Sequence, residues 1–183
     1  MSAVNFSLLP MLITVQQQGF FMTQPISAQN TILLQQFLPY RLANLAQNIS
    51  VDFAQVYQTQ FELTIPQWRI LVNLAQYPLS EAKTAKELTV LASMDKSTVS
   101  RAVNIMLDKG LLAKQLDPTD KRASRLSVTD KGNQLYHRIA PQALKWQADL
   151  LAVLSVGEHQ ALLGILDKLD GKLGLSTLIS TKK

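Results

Sequence analysis

The sequence predicts a mainly α fold carrying one small β-hairpin, and three observations predict it. Apolar residues recur at helical spacing over a long stretch near the start, through Leu33, Leu34, Phe37, Leu38, Leu42, Leu45, Ile49, Phe53 and Val56, and again after Thr129. Between these stretches, two short helical segments follow each other closely, Thr84-Ala-Lys-Glu-Leu88 and Asp95-Lys-Ser-Thr-Val-Ser-Arg-Ala-Val-Asn104. A charged turn, Asp117-Pro-Thr-Asp-Lys-Arg122, comes next and leads into a strand-like segment. Helix, turn, helix and hairpin in this order read as a winged helix-turn-helix, flanked by N- and C-terminal helices that form a second, all-helical lobe.

Residues 1–29 are expected to be an N-terminal extension. The first 21 carry no charge, and Phe6-Ser-Leu-Leu-Pro-Met-Leu-Ile-Thr-Val15 resembles a signal-peptide core. Pro10 interrupts it, no Lys or Arg precedes it, and it is too short for a membrane span. Either Met22 is the natural start or residues 1–21 are a poorly ordered extension, the alternative being a short segment that packs on a partner subunit.

The helical stripe from Leu33 passes through Pro39, which is expected to bend the helix rather than end it. Thr64-Ile-Pro-Gln67 has the pattern of a capping box with proline in the first turn, so a helix starts there and runs to about Gln76. Trp68 on it belongs to the core or to the seam between lobes. Thr84 can cap the first helix of the helix-turn-helix, and Asp95 can cap the second, where a carboxylate meets exposed amides and the positive helix end. Gly110 ends that helix. Leu126 and Val128 alternate with Arg125 and Ser127, which predicts a strand with one buried and one polar face. Thr129 caps a helix running through Leu135, Ile139, Leu144, Leu150 and Leu154, with a bend at Pro141. Ser155-Val-Gly-Glu158 is the box that opens the last helix.

The second helix of the motif carries the functional signal. Val99, Val103 and Met106 recur at helical spacing and can face a core, which leaves Lys96, Ser97, Ser100, Arg101 and Asn104 as a solvent-facing set of hydrogen-bonding side chains, with Thr98 beside them. Such a face suits the major groove of double-stranded DNA. The chain holds 18 Lys and Arg against 13 Asp and Glu. Placement matters more than the excess: residues 1–80 balance Arg41 and Arg69 against Asp52 and Glu62, whereas residues 96–125 hold seven basic side chains against three acids. At the hairpin tip Arg122 can enter a minor groove and Asp120 can orient its guanidinium, with Lys121 and Arg125 adding positive charge.

Four segments resemble the MarR family of transcription regulators: Phe37-Leu-Pro-Tyr-Arg-Leu42, Leu63 to Leu71, Asp95 to Gly110, and Asp117 to Thr129. Together they place the resemblance over roughly residues 31–173. Ser93 stands where the family often has glycine. The resemblance implies a homodimer whose lobe comprises residues 30–60 and 130–175, and a DNA-binding winged helix over residues 61–129. It implies recognition helices meeting successive major grooves of a pseudo-palindromic operator, roughly 34 Å apart. It also implies a repressor released by a small anionic aromatic effector at the junction of lobe and winged helix, near Tyr40, Arg41, Trp68 and His137. A winged-helix protein-interaction module without DNA binding is the alternative, and the basic face with Ser97, Arg101 and Arg122 argues against it.

Other chemistry finds little footing. With no cysteine, disulfides, thiolate metal sites and thiol nucleophiles are excluded, and so is the cysteine-based peroxide sensing of some relatives. His137 and His159 lie at no metal-ligand spacing, and no phosphate-binding glycine loop or nucleophile signature is present. No catalytic residue, metal or cofactor is expected, and the location expected is cytoplasmic, without membrane attachment.

Overall fold

The computed structural model describes residues 32–117 and 124–174. The expectations for residues 1–29 and Met22, and for Pro118, Asp120, Lys121 and Arg122 at the wing tip, lie outside the described residues.

The first helix, α1 (Leu38–Phe61), starts with Pro39 in its first turn. The expected bend at Pro39 is therefore corrected: the proline opens the helix, where a missing N–H costs no intrahelical bond. The apolar residues before it form a turn, in which Gln36 N–H donates to Leu33 O at 2.9 Å. Helix α2 (Ile65–Ala75) opens on the expected box, with Thr64 N–H donating to Gln67 Oε1 at 3.0 Å and Gln67 N–H to Thr64 Oγ1 at 3.4 Å. A short 3₁₀ turn (Leu79–Glu81) leads to a two-residue strand, β1 (Lys83–Thr84), and to α3 (Ala85–Leu91). Helix α4 (Lys96–Asp108) follows, then β2 (Leu112–Leu116), β3 (Ser124–Val128), α5 (Asp130–Leu151) and α6 (Val156–Lys172). Helix α5 runs unbroken through Pro141.

The sheet has three antiparallel strands in the order β1-β3-β2, not the two of a bare hairpin. Lys83 pairs with Leu126, while Leu112 to Leu116 pair with Val128 back to Ser124. β3 is thus central, and α2, α3 and α5 all pack near it. The expected clean alternation fails for that reason: Ser127 is buried together with Leu126.

Ile70 and Leu71 of α2, Leu88 of α3, Val99 and Met106 of α4 and Leu126 of β3 build the core under the helix-turn-helix. Ala54 and Tyr57 of α1 and Ile139 of α5 extend it toward the flanking helices. Helix α6 buries none of its residues within the chain and leaves α5 at 106°. Among the described residues no single helix is long and apolar enough to cross a membrane.

Candidate nucleic-acid interface

Helix α4 separates its two faces sharply. Val99, Ala102, Val103 and Met106 are buried, whereas Lys96, Ser97, Ser100, Arg101 and Asn104 are exposed and Thr98 is half-buried. The inward set follows the i, i+3, i+4, i+7 spacing, so packing of that stripe fixes which side chains are left for solvent. The turn that delivers α4 passes through Ser93, which adopts the left-handed region with φ 51°. A serine there costs about 1 kcal/mol relative to glycine. Met94 N–H donating to Thr89 O at 3.0 Å holds the turn closed.

Asp95 caps α4 as expected, accepting from Thr98 N–H at 2.9 Å. It also accepts from the hydroxyls of Ser97 and Thr98, each at 2.6 Å. These hydrogen bonds, from the Ser97 hydroxyl and then the Thr98 hydroxyl and amide, hold the Asp95 carboxyl well below the usual carboxylate range.

The other end of α4 is held by cations and a glycine. Gly110 takes φ 68°, and Leu111 N–H returns to Met106 O at 2.9 Å. Lys131 Nζ donates to Lys109 O at 2.7 Å, and Thr129 Oγ1 to Gly110 O at 2.8 Å. Positive charge at the negative end of the helix dipole adds to the capping. Lys109 itself reaches back to Glu62 O at 3.2 Å, so it ties α4 to the end of α1.

The remaining sequence-predicted residues are placed unevenly. Arg125, half-buried, has partners within the protein: its Nε pairs with the buried Asp117 at 2.7 Å and its Nη1 donates to Ala82 O at 3.0 Å. It braces the wing root across the sheet. Trp68 is buried, stacked on Tyr57 at 5.2 Å and on Tyr136 at 6.4 Å between ring centroids, with Phe53 edge-on at 5.7 Å. His137 is exposed beside Tyr136, at 5.3 Å. Tyr40 and Arg41 are exposed near the start of α1, about 13 residues and hence roughly 20 Å of helix before Phe53, so one protomer does not bring them to Trp68.

Two groups at this junction escaped the sequence reading. Trp146 extends the aromatic cluster, at 4.8 Å from Phe53, and donates its indole N–H to Asp52 at 2.8 Å. Arg69, half-buried, donates to Ser50 Oγ on α1 at 3.3 Å and to Ala92 O before α4 at 3.5 Å. The i, i+4 pair Phe53 and Tyr57 was the available signal for the cluster; no local signal existed for Arg69.

Residues 61–123 match the family model described as MarR family. A protein of Thauera aromatica, described as a transcriptional regulatory protein for the hcr operon, is 31% identical over 119 residues, covering 64% of this chain and 69% of that one. The chain belongs to the MarR family. It is a DNA-binding transcription regulator with a winged helix-turn-helix. The fold is shared with a MarR/EmrR family regulator from Acinetobacter sp. ADP1, at a TM-score of 0.69 and 22% identity over 78% of this chain and 99% of that one. It is shared too with MepR of S. aureus, solved as a DNA complex, at a TM-score of 0.62 and 21% identity over 71% and 96% of the two chains.

Proposed function

We propose that this MarR-family chain acts as a cytoplasmic, non-enzymatic homodimeric repressor whose α4 reads a pseudo-palindromic operator and whose grip is released by a small anionic aromatic effector. The observation that carries the DNA-reading part is the division of α4 into a buried apolar face and an exposed face of Lys96, Ser97, Ser100, Arg101 and Asn104. In this reading Arg101 and Asn104 address base edges, and Lys96 and Ser100 on the same exposed face add phosphate or base contacts. The wing residues Asp120, Lys121 and Arg122 join them from the sequence pattern, with Arg122 in the minor groove. Arg125 serves the wing by bracing it.

The domain division follows the same logic. Residues 61–129 form the DNA-binding unit, and residues 30–60 with 130–175 form the dimerisation lobe. Leu162, Leu163, Ile165 and Leu166 on α6, with Leu38, Leu42 and Leu45 on α1, stand exposed in the single chain. A helix that buries nothing of its own lacks the packing that ordinarily stabilises it, and a second copy supplies that cover. The effector lodges at the junction near Trp68 and His137, with Arg69, half-buried and close enough to act on the Tyr57 hydroxyl, as the cation to meet an anion.

Footprinting the purified protein on the promoter region beside its own gene tests this reading. Protection of two half-sites about one helical turn apart, relieved by an aromatic carboxylate, is expected. Uniform weak protection, with no site favoured, would remove the operator-reading role.

A further inference from the structure

We propose that Asp95 sets the hydrogen-bond polarity at the tip of α4: by taking the hydroxyl hydrogens of Ser97 and Thr98, it presents both oxygens to DNA as acceptors, which favours a base edge offering an amino group. The inference rests on α4 being the helix that reads DNA and adds which bases its first turn selects.

The count of hydrogens fixes which way these bonds run. An ionised carboxylate can only accept, whereas a hydroxyl has one hydrogen and two lone pairs. Asp95 Oδ1 receives the Ser97 hydroxyl at 2.6 Å together with Thr98 N–H at 2.9 Å, and Oδ2 receives the Thr98 hydroxyl at 2.6 Å. These are the short distances of charge-assisted bonds. Each hydroxyl has thus spent its only hydrogen within the protein, and only its acceptor capacity remains. The same bonds keep the Asp95 carboxyl ionised through the physiological range, so the arrangement does not reverse near neutral pH.

Two consequences separate this from ordinary capping. In the major groove adenine N6 and cytosine N4 are amino donors, while guanine O6 and N7 and thymine O4 are acceptors. An acceptor-only oxygen gains with the first pair and opposes the second. Phosphate oxygens are acceptors as well, so Ser97 and Thr98 cannot clamp the backbone through their hydroxyls. Ser100, one turn further along, has no side-chain hydrogen bond among the described residues and keeps its hydrogen for either use. A cap alone requires only the bond to Thr98 N–H, which serine at position 95 also makes; serine has a single short oxygen and cannot engage both hydroxyls.

The test is selection from a randomised duplex pool with the full chain and its Asp95→Ser, Asp95→Asn, Ser97→Ala and Thr98→Val variants, with thermal unfolding to verify folding. Removing a negative charge near DNA raises affinity for every sequence, so the readout is the relative base preference at each position. The wild-type chain should favour A or C over G and T at one or two positions per half-site by about 2- to 10-fold, the worth of one hydrogen bond. Asp95→Ser should flatten that preference, and Ser97→Ala or Thr98→Val should flatten it at the same positions only. Should Asp95→Ser not fold, Asp95→Asn keeps the cap while its amide N–H₂ donates to the Thr98 oxygen, and the preference tied to Thr98 should still relax. A profile unchanged by either Asp95 variant, while Arg101→Ala does alter it, overturns this inference and leaves α4 as the reading helix. Absence of any selected sequence by the wild-type chain overturns both.

Discussion

Replacing Gly132 with alanine sets two effects of opposite sign against each other. Gly132 lies in the first turn of α5, and in a helix alanine is favoured over glycine by up to about 1 kcal/mol, less near an end. Propensity alone therefore predicts a more stable protein. Packing predicts the reverse. A methyl group built on Gly132 collides with the carbonyl oxygen of Leu111 and comes within 2.6 Å of Val128 Cγ1. The carbonyl cannot step aside cheaply, because it accepts from Thr129 N–H at 3.1 Å and stands between the end of α4 and the start of β2. Overpacking of this kind costs about 1–3 kcal/mol, which exceeds the propensity gain. A net loss of about 1–2 kcal/mol corresponds to a Tm lower by roughly 2–8 °C for a chain of this size. Thermal unfolding followed by circular dichroism, at matched chain concentration since association raises Tm, measures it. Gly157→Ala, where the added methyl meets nothing within 4 Å, is the control and should stay within about 0.5 kcal/mol of wild type. Because the Leu111 carbonyl that the new methyl would displace links α4 to the wing, Gly132→Ala should also weaken DNA binding well below its Tm. A Gly132→Ala protein as stable as wild type, or more so, would refute the packing argument.

Further outcomes follow from the same geometry. Burial pushes the Tyr57 hydroxyl up to about 12, against a smaller opposing effect of Arg69, so in an ultraviolet titration one of the four tyrosines should ionise well after pH 10. Its pKa is raised in the folded state, so the stability it contributes is complete below pH 10 and is lost as pH rises toward 12; four tyrosines titrating together near 10 would contradict this. Asp95 has the opposite sign, its folded pKa being depressed, so its contribution is present above the ordinary carboxylate range and disappears only at lower pH. Carbon NMR should find Asp95 still ionised at pH 4, and a midpoint at or above the ordinary range would remove the three-bond cap. Ending the chain after Ser155 removes the exposed apolar residues of α6 and should leave a monomer or an insoluble product; a folded truncation that still sediments as a dimer would move the interface elsewhere.

The features legible in the sequence were those whose physics is local. Thr64 with Gln67 and Ser155 with Glu158 each form the box that their spacing announces, because both partners lie within one helical turn, and Thr84 caps its helix as expected, with Glu87 completing a box that was not singled out. Asp95 and Thr129 cap their helices for the same reason. The features that escaped depend on partners far along the chain. Strand β1 is two residues long and exists through pairing with Leu126 and Arg125, some forty positions later. Arg125 had the composition of a DNA contact, yet Asp117 and the Ala82 carbonyl engage it within the protein. Pro39 was read as a bend because the apolar stripe continues on both sides of it, whereas the turn closed at Leu33 makes it the opening of the helix. The outer face of α4 was readable because a 3.6-residue period fixes both faces at once.

The central claim, that this outer face distinguishes one DNA sequence from another, is tested most directly by Arg101→Ala. Affinities of both proteins for a selected operator and for an unrelated duplex would be measured at two salt concentrations. The variant should lose about 1–3 kcal/mol of discrimination, roughly 5- to 150-fold in the operator-to-unrelated ratio. Binding to the unrelated duplex should persist and weaken with salt, as counterion release requires. An unchanged ratio in the variant, or wild-type affinity insensitive to salt, would contradict it.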